Sequence, residues 1–152
     1  IGGGPLLPWF RNSIQKHGLE ANFVVYGQVP RERIFNLLPD FDIHIITSLL
    51  EANTTVIWET MSWGIPTISL DHFGMADVIN DSCGIKIPVK SYGQVVNCLA
   101  ATLDNLSLNP EKILQLKKGV YQSAVKYTWN NRIDFYESCY KKAIMNFTSK
   151  SK

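Results

Sequence analysis

No stretch of this 152-residue chain approaches the roughly 18 consecutive apolar residues of a membrane-spanning helix. There is no signal-peptide pattern at the start. No basic run or arginine-rich face exists to track a phosphate backbone, and acidic and basic residues are interspersed to a formal net charge of only +2. Cysteine is scarce: Cys83, Cys98 and Cys139 are odd in number and widely spaced, which argues for reduced, buried thiols rather than a disulfide framework. The three histidines, His17, His44 and His72, are scattered, so no metal-ligand spacing is present. Internal repeats and low-complexity linkers are lacking too. What remains is an ordinary globular composition, 45% apolar and 18% charged, long enough for one domain with a core.

Short apolar runs alternate with helical stretches along the first two thirds. "NFVVYGQV", "FDIHIITS", "IPTISLD" and "CGIKIPV" read as four buried strands, with Pro66 tolerated only at the beginning of the third. Between them lie "RERIFNLLPD", stopped before Pro39, then "TTVIWETMSWG", with a threonine cap and Gly64 at its end, and "GMADVIND". Three longer helices follow: "YGQVVNCLAATLDNL", "PEKILQLKKGVYQSAVKY" with Pro110 in its first turn, and "WNNRIDFYESCYKKAIMNF". The alternation predicts an α/β fold, a Rossmann-like parallel sheet flanked by helices and ending in a helical segment. Ligands of such sheets bind beyond the carboxyl ends of the strands, where "IGGGP", "GQVPR", "SLLEANTT" and "LDHFGM" should gather.

Two glutamates frame one of these loops. Glu51 precedes the helix that starts near Thr54, and Glu59 lies inside it, one turn beyond Thr55 on a polar stripe with Ser62. The opposite stripe, Val56, Ile57, Thr60, Met61 and Gly64, should face the sheet. A helix start offers free N–H groups and a positive dipole end, suited to a diphosphate. A carboxylate one turn in can accept two hydrogen bonds from a ribose diol, and Glu51, on the far side of the anion, from a second sugar. Both glutamates also admit a plain reading, as a helix-surface residue and a loop charge. Trp58 falls on neither stripe and is expected to face another domain. Trp63 and Trp129 read as packing residues, and His44 as a sheet-face histidine. His72 is a candidate contact for sugar or acceptor, although a structural loop histidine is the simpler reading. "GGGP" lacks the G-x-G-x-x-G spacing of a dinucleotide fold, which disfavours an oxidoreductase.

In order along nearly the whole chain, "GGGP", "FVVYGQVP", "FDIHIITSLLEA", "WETMSWGIPTISLD", "CGIKIPV" and "YTW" resemble the C-terminal, nucleotide-sugar-binding domain of a glycosyltransferase family 4 (group 1) enzyme of the GT-B fold. The resemblance implies transfer of a sugar from a nucleotide donor, of UDP or GDP type, to a glycan or lipid-linked acceptor, with retention at the anomeric carbon. It implies Glu51 as the catalytic-site contact to the transferred sugar and Glu59 as the ribose ligand. The backbone N–H groups at Thr54 and Thr55 would meet the diphosphate, Asn53 would also bind the nucleotide sugar, and Gln28, Val29 and Pro30 would meet the base, largely through backbone. Gly4, in the family's glycine turn before the first helix, would also bind the nucleotide sugar. No metal or cofactor is implied, and the setting would be cytoplasmic, at or near the inner face of a membrane. Many family members have glycine three residues after the first glutamate; here Thr54 stands. The family's diphosphate-neutralising Arg and Lys, and its acceptor domain, would lie upstream of Ile1. The chain is therefore expected to be one donor-binding domain, truncated at its N-terminus and inactive alone. A nucleotide-sugar epimerase domain, or a non-catalytic binding module of the same fold, are the alternatives.

Overall fold

The computed structural model describes residues 1–50 and 55–150. These divide into two compact units, 1–40 and 41–152, each described by itself.

The second unit is built on three parallel strands, β1 (His44–Ile46), β2 (Thr67–Leu70) and β3 (Gly84–Ile87), in the order β1-β2-β3. His44 stands opposite Thr67, and Thr67 opposite Gly84. A parallel neighbour demands a crossover. The one between β1 and β2 carries helix α3 (Thr55–Ser62), and the one between β2 and β3 carries α4 (Phe73–Val78). β2 is buried along its full length, as a central strand covered on both faces should be. Its core partners include Ile57 and Met61 of α3, Met75 and Ile79, Ile87 of β3, and Leu116 and Val120 from the helical segment.

That segment consists of α5 (Tyr92–Leu108), α6 (Pro110–Lys126) and α7 (Trp129–Lys150). Ser91 caps α5 by accepting the Gln94 N–H at 3.3 Å, while the Gln94 side chain accepts the Lys90 N–H at 3.0 Å, a reciprocal arrangement close to a capping box. α6 begins with the proline that its first turn tolerates. Helix α3 ends on Gly64, φ +70°, with Ile65 N–H reaching the Thr60 carbonyl and Gly64 N–H the Met61 carbonyl, which is a Schellman stop. α7 carries Trp129, Ile133, Tyr136, Tyr140, Ile144 and Phe147 at four- and three-residue steps, and all six are exposed.

The first unit holds α1 (Leu7–Lys16), a 3₁₀ turn (Glu20–Asn22), α2 (Arg31–Leu37) and a second 3₁₀ turn (Leu38–Asp40). α2 stops before Pro39 as expected, and the chain then tightens into that turn, whose first positions need no N–H. The strand expected over "NFVVYGQV" is not formed. Phe23 is extended, with φ −125° and ψ 128°, but residues 23–26 join no ladder, and Val24 is 75% exposed. A β-branched run needs an edge to pair with, and its own unit offers only the Gly2 N–H to Gly27 carbonyl bond beside it. The cysteines also depart from expectation. All are free thiols, but only Cys83 is buried; Cys98 is half-buried and Cys139 exposed.

Candidate functional site at the carboxyl edge of the sheet

Parallel strands put the loops after β1 and β2 on one edge. After β1 the described chain resumes at Thr55, exposed on the first turn of α3. Ile57, Thr60 and Met61 are buried against the sheet as the helical stripe predicts, while Val56, expected among them, is 40% exposed at the helix start. Glu59 is half-buried, one turn beyond Thr55. Glu51, Asn53 and Thr54 lie outside the described residues.

Beneath α3 runs a polar column. Thr60 donates to the carbonyls of its own helix at Val56 (3.0 Å) and Ile57 (3.1 Å), and its hydroxyl stands 3.5 Å from that of Thr67 on β2. Thr67 in turn meets His44 Nδ1 at 3.1 Å. Burial pulls the His44 pKa down to about 4, so its ring is neutral, and Nδ1 shares one hydrogen bond with the Thr67 hydroxyl. Two residues along β2 on the same face, Ser69 is 1% exposed, and its hydroxyl has no hydrogen-bond partner among the described residues.

After β2 the edge is tightly tied. Asp71 N–H bonds the Ile87 carbonyl at 2.8 Å, and Lys86 reaches both the Asp71 carboxylate (3.4 Å) and the Ala76 carbonyl (3.1 Å). His72 is exposed, and its ring lies 4.2 Å from that of Phe73. Phe73 has φ +50°. Sequence reasoning passed over both Phe73 and Ser69; a left-handed phenylalanine leaves no signature in composition or period.

The residues expected near a base fall in the first unit. Gly2 N–H bonds the Gly27 carbonyl at 2.8 Å, and a side chain on Gly3 would stand 3.2 Å from Gln28 Cβ. The glycine turn that includes Gly4 thus runs beside the Gln28–Val29–Pro30 loop. Gln28 and Pro30 are exposed and Val29 half-buried.

Trp58 does not stand apart from its own unit. Its ring packs on Tyr127 at 4.8 Å, and the two share a cleft of about 390 Å³ with Trp129, Arg132 and Tyr136. Arg132 lies 5.3 Å over the Tyr127 ring. Trp63 and Trp129 are exposed rather than packed. Among the described residues, no three His, Cys, Asp or Glu side chains converge, and no helix is long and apolar enough to cross a membrane.

Comparison with known proteins places residues 1–123 on the family model "Glycosyl transferases group 1". A stretch of 78 residues, 51% of the chain, is 30% identical to the phosphatidylinositol N-acetylglucosaminyltransferase GPI3 subunit of Saccharomyces cerevisiae; the match spans 17% of that protein's length. Among solved structures, the pneumococcal O-GlcNAc transferase GtfA in complex with UDP and GlcNAc superposes with TM-score 0.76 at 20% identity, over 95% of this chain and 29% of that one. The C-terminal domain of a group 1 glycosyl transferase family protein, LpcC, from Francisella tularensis gives TM-score 0.65 at 18% identity, over 82% and 65%. The fold is that of the C-terminal domain of GT-B glycosyltransferases.

Proposed function

The chain belongs to the group 1 glycosyltransferase family, and from that premise we propose that it is the donor half of a retaining glycosyltransferase. It binds a nucleoside diphosphate sugar at the carboxyl edge of its parallel sheet. The sugar passes to a glycan or lipid-linked acceptor held by a second domain. The observation that carries this reading is the start of α3 at that edge, with the half-buried Glu59 carboxylate one turn inside it.

The N–H groups at Thr54 and Thr55 receive the diphosphate, where the helix dipole favours negative charge. Glu59 sits far enough along the helix to avoid the phosphates and accepts from the two ribose hydroxyls. Glu51 contacts the transferred sugar, with Asn53 beside the phosphates and His72 toward the sugar or the acceptor. The base rests against the backbone of Gln28, Val29 and Pro30, and the turn at Gly4 lets the chain approach closely. These residues need no metal to hold the donor, because helix N–H groups supply the positive charge. The GtfA structure, with its UDP and GlcNAc, and the yeast relative, an N-acetylglucosaminyltransferase by name, support the donor class.

Glu59→Ala is the test. A hydrogen bond to a charged group contributes roughly 1.5–3 kcal/mol, so the variant should bind its nucleoside diphosphate about ten- to a hundredfold more weakly by calorimetry, with an unchanged far-UV spectrum. Equal affinity would return Glu59 to the helix surface. Transfer also needs acceptor and donor enclosed between two domains. The 152-residue chain alone, given nucleotide sugar, should therefore yield neither product nor hydrolysis by mass spectrometry.

A further inference from the structure

Phe73 is the one residue other than glycine with positive φ among the described residues. Glycine would adopt that backbone freely, whereas a side chain there is strained. Such strain persists only where the surroundings over-determine it, and here they do. On one side Asp71 is held by Ile87 and Lys86. On the other, Met75 is sunk in the core at 1% exposure and Ala76 accepts the same Lys86. His72 is extended, φ −155°, and its N–H turns back to the Leu70 carbonyl at 2.8 Å. The passage from strand to helix is thus left to residues 72 and 73.

The ring held there is not used for packing: it is 47% exposed and rests against the His72 ring. A strained backbone therefore carries an open aromatic face at the carboxyl end of β2. β2 is the ladder neighbour of β1, whose following loop leads into α3, and neighbouring strands lie about 4.8 Å apart. Phe73 therefore follows the strand next to the one that leads to α3, on the same edge of the sheet.

We propose that Phe73, backed by His72, is an aromatic shelf on which the C–H face of the transferred sugar lies, making it a residue that selects sugar-bearing nucleotides over bare ones. The proposal rests on the donor-domain reading above. An aromatic face suits one side of a pyranose, whose axial hydrogens make it apolar, while carboxylates address the hydroxyl rim; ligand sites combine the two in this way.

The experiment measures calorimetric affinities of the chain for UDP, GDP and ADP, each beside its sugar conjugate: UDP-glucose, UDP-N-acetylglucosamine, GDP-mannose and ADP-glucose. The parent should bind one conjugate about tenfold tighter than its bare nucleotide. Phe73→Gly should erase that preference, leave the bare nucleotide unchanged and melt no lower than the parent, since the glycine relieves strain. Phe73→Tyr should keep the preference and Phe73→Leu should lose most of it. An undiminished preference in Phe73→Gly overturns the shelf, as does a parent that shows no preference or a variant that loses bare nucleotide and conjugate alike. Failure of every nucleotide to bind the parent removes the donor-domain reading itself, and the shelf with it.

Discussion

His44 couples the sheet to pH through one ring. Its pKa, about 4 in the folded chain, lies below the ordinary 6.5 because burial disfavours the imidazolium. Below pH 6.5 the unfolded chain takes up this proton first, so folding stability is full above that value and declines as pH falls toward about 4, below which this group costs no more. At about 1.4 kcal/mol per pH unit the loss reaches roughly 3 kcal/mol. Urea midpoints measured from pH 7 to pH 4 should show the decline, and His44→Leu should flatten it. At this scale the sequence was informative about charge and spacing and silent about backbone. The stripe from Ile57 to Met61 and the placing of Glu59 follow from a 3.6-residue period. The left-handed Phe73 and the Ser69 hydroxyl, unpartnered among the described residues, do not, because neither a backbone angle nor a missing partner has a period.

Among the elements, two glycines hold helices close to their neighbours. Gly119 lies inside α6, where alanine ordinarily gains about 1 kcal/mol. Here a Cβ would collide with the backbone carbonyl of Ser82, which cannot swing aside. Gly119→Ala should therefore destabilise, by about 2 kcal/mol net. Gly64→Ala should cost about 1–2 kcal/mol, mainly through its φ of +70°, because the atoms it would meet belong to the exposed ring of Tyr121. Thermal melts would rank the two. Helices α3 to α7 and strands β1 to β3 were legible because each has its own period, cap or breaker: Ser91, Pro110 and Gly64 are such marks. The run from Phe23 to Tyr26 was misread as a strand because its composition is right, while a strand exists only with a partner.

For the molecule as a whole, the core belongs to one unit. Residues 41–152 contain the entire buried cluster around β2, whereas the first 40 bury only Ile14 and Leu38 among their large apolar side chains. A segment that short seldom folds without a metal, a disulfide or a partner. Residues 41–152 expressed alone should give cooperative thermal unfolding, and a peptide of residues 1–40 should show no transition by circular dichroism. Two separate transitions, or a folded peptide, would contradict this division of stability.

The strand order β1-β2-β3 follows the order of synthesis. Each strand finds its neighbour across a single short crossover, His44 to Thr67 and then Thr67 to Gly84. Closing such loops costs little entropy, and no strand must wait for a later one to be inserted between two others. A nascent chain can thus lay down its sheet as it leaves the ribosome. β1 and β2 pair around α3 before β3 emerges, and the three terminal helices close over a template already formed.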